Sequence, residues 1–206
     1  MQKAGMIILG YFLGSILFGE IFLKSIKKKD IREAGKDGNP GTFNAFAAGG
    51  MVCGILTLLC DMGKGILPVA LYLKCNGRQT GDWMLTLVMA APVLGHAFPV
   101  YKGFKGGGKA IAVSFGSLLG FFPDLVPALI PAAFYLIFSA FRIQPHGKRS
   151  ILAYACTMIL SLVLVKDLVV RFGMMLISVI VISKHLPELW ENFTEVFCKT
   201  KSDRKN

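Results

Sequence analysis

The chain has 206 residues, 54% of them hydrophobic and 17% charged, with a net charge of +11; its mean hydropathy is +0.59. That balance excludes a soluble globular domain and defines an integral membrane protein. The basic residues lie in short loops between apolar runs, which argues against nucleic acid and for anionic headgroups or phosphorylated substrates. The five cysteines form no CxxC pair and no zinc-like spacing, so neither a disulfide framework, a metal centre nor a cofactor is expected.

The length has room for about seven spans of ~20 residues with short loops. Apolar runs near 5–24, 51–73, 83–101, 110–122, 124–141, 150–166 and 168–186 predict an all-α polytopic membrane protein with about seven transmembrane helices, a single domain over 1–206. The first run ends in Lys24, Lys27, Lys28, Lys29 and Arg32 with no small-residue cleavage site. It reads as a retained helix, not a signal peptide. Pro123 separates the fourth run from the fifth, giving either a helical hairpin or one broken segment. With the N-terminus outside, every inside loop is richer in Lys and Arg than its outside neighbours, which puts the C-terminus in the cytoplasm. No internal repeat is visible, which weighs against a transporter. The pairs Gly10/Gly14, Gly50/Gly54 and Gly116/Gly120 predict tight helix packing.

Several polar residues interrupt this pattern. Ser15 in the first run either bonds its own helix carbonyl or serves the site. The loop from Ile31 to Asn44 is basic and Gly-rich. Within it, Arg32 can hold a phosphate through two nitrogens. Asn39-Pro40-Gly41 fits a tight turn, and Asn44 offers a neutral donor. Asp61 and Lys64 are three residues apart on one helix face, an intramembrane polar pair of structural or catalytic use. His96 stands near the run Lys102 to Lys109. There Gly106, Gly107 and Gly108 permit backbone N–H groups to converge, and Lys105 and Lys109 add positive charge. If Gly108 opens the next helix, its end adds to an anion site. The chemistry implied is phosphate binding at a membrane surface, the alternative being a solvated basic turn that only fixes topology. His185 ends the last run on the same face, and His146 has no evident partner.

These residues together resemble the bacterial acyl-phosphate:glycerol-3-phosphate acyltransferase family. Gly14-Ser15-Ile16-Leu17-Phe18-Gly19 is similar to the family's GSIPFG, and Ile31-Arg32-Glu33 with Gly38-Asn39-Pro40-Gly41 to its iRexGSGNPGATN. Asp61-Met62-Gly63-Lys64-Gly65 is similar to DxxKG, and Gly95-His96-Ala97-Phe98-Pro99-Val100 with Phe104-Lys105-Gly106-Gly107 to GHxFPVFLKFKGGKG. The resemblance implies a small seven-span enzyme of the bacterial inner membrane. Such an enzyme moves a fatty acyl group from acyl-phosphate to the 1-hydroxyl of glycerol 3-phosphate, giving lysophosphatidate and inorganic phosphate. Acyl-phosphate is already activated, so the reaction demands no metal.

On this resemblance Ser15, Arg32 and His185 are the candidate catalytic residues. Asn39, Gly41, Asn44, His96, Lys105, Gly106, Gly107, Gly108 and Lys109 are the candidate phosphate ligands. The expected partners are the two substrates and membrane lipid. The chain departs from the family at Leu17, at Lys36-Asp37, at the extra Gly108, and near the C-terminus, where Glu188 stands in place of Asn. A carboxylate beside a phosphate repels it, so Glu188 is expected to point away, or Asn192 to turn inward. A non-enzymatic membrane relative binding lipid or a partner is the alternative.

Overall fold

The computed structural model describes residues 3–31, 38–78 and 81–203, with side chains through 190. Among these residues every regular element is helical. The first span is two helices, α1 (Lys3–Gly14) and α2 (Phe18–Phe22), the second running into a π-helical turn at Leu23–Lys27. α3 (Thr42–Asn76) bends at Gly50, whose φ of 75° and ψ of −169° suit a residue without a side chain. α4 (Met84–Ala97) leads into a 3₁₀ turn, Val100–Lys102. Then follow α5 (Ile111–Leu119), α6 (Val126–Ala140), α7 (His146–Leu164) and α8 (Leu168–Asp203).

Lipid gives apolar helices no hydrophobic reason to associate, so close backbone approach must hold them together. Glycine provides it along two seams. A Cβ on Gly14 would lie 2.2 Å from the Pro92 carbonyl oxygen, and one on Gly95 would lie 2.1 Å from that of Tyr11, so α1 and α4 meet backbone to backbone. Gly65 and Gly116 do the same for α3 and α5, at 2.3 Å from Val113 O and 2.1 Å from Met62 O. The expected Gly50/Gly54 pair has another use: Gly50 makes the bend, and Gly54 leaves room for the Phe46 ring. Around these seams Met6, Val69, Val88, Val93, Leu118, Met174 and Ile177 form a buried core. Leu59, Leu136, Ile159 and Val163 instead face outward, each more than 60% exposed. An apolar exterior of this kind is stable in lipid and costly in water.

Among the described residues five helices are long and apolar enough to cross a membrane: Lys3–Lys27, Thr42–Asn76, Met84–Lys102, His146–Leu164 and Leu168–Trp190. Two of the seven expected runs fall short of that length. The fourth and fifth apolar runs form helices of nine and 15 residues, roughly 14 and 22 Å long against a ~30 Å hydrocarbon core. The fourth starts late because the chain stays irregular through Ala110, and turns from Gly120 onward end it. The two runs therefore form separate short helices rather than one broken segment.

Two clusters of polar contacts mark opposite ends of the bundle. At one end Lys3 pairs with Asp82 (2.7 Å), and Arg78 bridges Asp124 (2.8 Å) and Asp167 (3.1 Å). At the other, Glu20 pairs with Lys102 (2.6 Å) and Lys109 with Glu188. The loops thus alternate between the two ends.

Candidate functional site

At the second end a cavity of about 310 Å³ opens between the start of α3, the end of α4, the 103–110 loop and the start of α7. One part of its wall is polar, made by Asn39, Asp61, His96, Lys109 and His146; the other is apolar, made by Phe46, Leu58, Ile111 and Phe115. Tyr135 joins the two parts. A larger cavity, about 720 Å³, lies at the opposite end beside Arg78, Asp124 and Asp167. It contains none of the motif residues, and its one arginine is already held by two carboxylates.

The glycine loop shapes the polar wall by close approach. Gly103, Phe104, Gly106 and Ala110 all have φ near +60°, so the chain reverses repeatedly and packs against the end of α4. A Cβ on Gly107 would meet Ala97 O at 2.2 Å, and one on Gly108 would meet His96 Nε2 at 2.0 Å. Two expectations are corrected here. The helix opens at Ile111 rather than Gly108, with Ala110 preceding it. The Gly108 N–H donates to His96 O (2.9 Å) and is not a free phosphate donor. Lys105 and Gly106 stay on the exposed rim, outside the cavity wall, while Lys109 lines it.

The 38–44 segment also differs from the expected tight turn. Gly41 is extended (φ −80°, ψ 171°) and precedes the first residue of α3. Asn44 is buried, and its Nδ2 donates to Asn39 O (2.8 Å). Asn44 therefore braces the segment, whereas Asn39 and Gly41 line the cavity. Arg32 lies outside the described residues.

Asp61 and Lys64 form a buried ion pair (2.8 Å), and Lys64 Nζ also reaches His96 Nδ1 (2.8 Å). Sequence spacing placed the pair on one helix face but gave no link to His96. Ser15 is buried behind this cluster, away from the cavity wall. Its Oγ donates to Tyr11 O (2.9 Å) and accepts from Val100 N–H (3.3 Å). The hydroxyl thus closes the break between α1 and α2 and ties it to the turn after α4. His185 is fully buried. Its Nδ1 lies 2.7 Å from Val181 O, and its ring stacks near His146 at 6.2 Å between centroids.

Sequence reading missed His146 and Tyr135. His146 opens α7, and its Nε2 lies 2.7 Å from Tyr135 Oη. No local pattern marks either residue; only the packing of α6 on α7 brings them to the cavity. Glu188 also departs from expectation. It faces the glycine loop, pairs with Lys109, and accepts from Gly147 N–H at 3.2 Å. The pairing supplies the physical reason: with Lys109 as counter-ion, the carboxylate is neutralised where it stands.

The site thus sets a glycine–lysine loop over a half-apolar cavity, at one end of a bundle whose helices are apolar and long enough to cross a membrane. The family described as glycerol-3-phosphate acyltransferase matches residues 4–194, and the chain belongs to that family. It is 34% identical over 185 residues to the glycerol-3-phosphate acyltransferase of Staphylococcus saprophyticus, covering 87% of this chain and 89% of the relative. It is 37% identical over 131 residues to that of Syntrophomonas wolfei, covering 63% of this chain; the match spans 64% of that relative's length. The crystal structure of PlsY (YgiH), an integral membrane glycerol 3-phosphate acyltransferase, in its glycerol 3-phosphate form, superposes with a TM-score of 0.81 at 30% identity, covering 95% of this chain and 94% of that one. The lysophosphatidic acid form gives 0.79 at 29% identity, covering 95% and 93%.

Proposed function

We propose that the protein transfers a fatty acyl group from acyl-phosphate to the 1-hydroxyl of glycerol 3-phosphate. The observation that carries this reading is the two-part cavity, with Lys109, His96 and Asn39 at one wall and Phe46, Leu58 and Phe115 at the other. A phosphorylated headgroup suits the first wall and an acyl chain the second. The relatives' names and the two PlsY forms support the acceptor, and the sequence resemblance supports acyl-phosphate as donor.

In this reading the cavity holds hydroxyl and acyl carbonyl together, which removes most of the entropic barrier. The hydroxyl oxygen attacks the carbonyl carbon, and the bond from that carbon to the phosphate oxygen breaks. The departing phosphate takes up the negative charge, and the hydroxyl proton is lost to it or to water. Lys109 and the neighbouring fixed donors stabilise the charge as it forms. Ser15 acts from behind the cavity by holding the helix break, and Arg32 remains the candidate second phosphate clamp. His185 acts beside His146.

The location is the bacterial inner membrane, as a single multi-pass domain. Its N-terminus is outside, the cavity end is cytoplasmic, and the chain passes seven times between the two ends, two of those passes being made by short helices. Purified protein in lipid nanodiscs, given acyl-phosphate and glycerol 3-phosphate, is expected to release lysophosphatidate and inorganic phosphate in equal amounts. Acyl-coenzyme A as donor is expected to give no product. A folded preparation that makes none from acyl-phosphate overturns the proposal.

A further inference from the structure

Lys64 is surrounded by three acceptors. Its Nζ lies 2.6 Å from Ile16 O, 2.8 Å from Asp61 Oδ1 and 2.8 Å from His96 Nδ1. A lysine ammonium has three protons and no lone pair; it hydrogen-bonds the Ile16 carbonyl and the His96 ring nitrogen, and forms an ion pair with Asp61, whose Oδ1 meets it outside hydrogen-bond geometry. The imidazole nitrogen facing an ammonium must then present its lone pair. A proton on Nδ1 would set N–H against N–H, in a site where Lys64 and Asp61 are nearly inaccessible to water. Asp61 Oδ1 is 3.9 Å from His96 Nδ1, too far for a direct hydrogen bond, so the carboxylate acts on the imidazole through Lys64.

The other ring nitrogen faces the cavity loop. His96 is 2% exposed, lines the cavity, and has its Nε2 directly beneath Gly108, where a Cβ would stand 2.0 Å away. The same glycine is held over the ring by its own N–H bond to His96 O, 2.9 Å. The ring is therefore fixed on both sides. The Ile16 carbonyl that completes the lysine's set lies in the break between α1 and α2. This gives the break, and the Ser15 hydroxyl that closes it, a reason connected to the cavity.

We propose that the Asp61–Lys64 pair holds His96 as the neutral tautomer with its proton on Nε2, so that His96 is a fixed hydrogen-bond donor to an anionic oxygen in the cavity. Lys64 is the positioning residue and His96 the group that touches substrate. His96 is then neither a general base nor a charged phosphate ligand. Naming that oxygen as one of a phosphate group rests on the acyl-transfer reading; the tautomer itself does not.

The test has a spectroscopic arm and a kinetic arm, both on the full chain in nanodiscs. Protein labelled with ¹⁵N-histidine, with His96 assigned by comparison with His96→Gln, is expected to show a protonated Nε2 and an unprotonated Nδ1 at neutral pH. A protonated Nδ1, alone or as imidazolium, overturns the proposal. In the kinetic arm Gln carries an amide N–H to the place of Nε2. His96→Gln is expected to retain activity within about tenfold of the parent, and His96→Leu to lose on the order of 100-fold, the usual cost of one fixed donor. Equal loss in both, at equal abundance, overturns the donor role. Because a lone buried charge can prevent folding, Lys64 is tested as Asp61→Asn with Lys64→Met together. This variant is expected to give a mixture of His96 tautomers and about a tenfold fall in kcat/KM. An unchanged single tautomer overturns the positioning role. The Nε2–H tautomer in a parent protein without acyltransferase activity would sustain the tautomer and fault the acyl-transfer reading alone.

Discussion

Glu188 takes from the cavity two donors that a phosphate would also use, the Lys109 ammonium and the Gly147 N–H. Both side chains of the ion pair are partly exposed, 17% and 24%, so the pair is worth on the order of 1 kcal/mol. Glu188→Asn removes the charge and keeps an oxygen for Gly147. Under acyl transfer the KM for glycerol 3-phosphate is expected to fall roughly fivefold, the equivalent of that energy. Steady-state kinetics in nanodiscs measure it. No gain, with the carboxylate facing the loop as it does, would count against acyl transfer and favour a non-enzymatic membrane relative. At this scale the sequence singles out residues that the fold brings to one end better than it gives their contacts. Gly107, Gly108, His96 and Lys109 stand out because glycine and lysine beside lipid have few other uses. Glu188 was misplaced because its partner is 79 residues away, and His146 was missed because its role depends on Tyr135 of the preceding helix.

The helices owe their arrangement to where a backbone can come close. At Gly14 any side chain meets the Pro92 backbone, with a Cβ 2.2 Å from the carbonyl oxygen, whereas a Cβ at Gly5 meets nothing within 4 Å. Gly14→Ala is therefore expected to cost about 1–3 kcal/mol, the usual range for overpacking, and Gly5→Ala close to nothing. Thermal unfolding in one detergent, with the two variants side by side, checks this; equal midpoints would show that α1 and α4 are not held by this seam. The small-residue pairs at Gly10/Gly14 and Gly116/Gly120 were legible in sequence, since spacing of four places both members on one helix face. Helix ends were not. Hydropathy registers an apolar run whether it is a helix or an irregular stretch, so the fourth and fifth runs read as spans while forming helices of nine and 15 residues. The break at Ser15–Leu17 was hidden for the same reason.

Across the whole molecule the two ends carry different electrostatics, and each supports a prediction. At the end away from the cavity, burial alone would raise the Asp82 carboxyl. The hydrogen bonds from Lys3 (2.7 Å) and Tyr72 (2.6 Å) outweigh that effect and hold it below the usual carboxylate range. A depressed folded-state value means the stabilisation is complete above the unfolded carboxyl's pKa of about 3.9 and disappears as pH falls through the folded value. Asp82→Asn is thus expected to lower the unfolding midpoint at pH 7 and to match the parent in strong acid; a constant gap across that range would refute the carboxylate's part. At the cavity end Glu20 and Glu188 pair with Lys102 and Lys109, but Lys24, Lys27, Lys28, Lys29 and Lys105 add further positive charge there, whereas the opposite end matches Lys3 and Arg78 with Asp82, Asp124 and Asp167. An unbalanced basic surface is expected on the cytoplasmic side, next to anionic lipid. Cys75 is exposed near the end of α3, on the balanced side. With the other cysteines replaced by alanine, Cys75 is expected to react with a membrane-impermeant maleimide in intact cells. A cysteine at Lys105 in a background without Cys75 is expected to react only after permeabilisation. The reverse pattern would invert the topology and place the cavity outside.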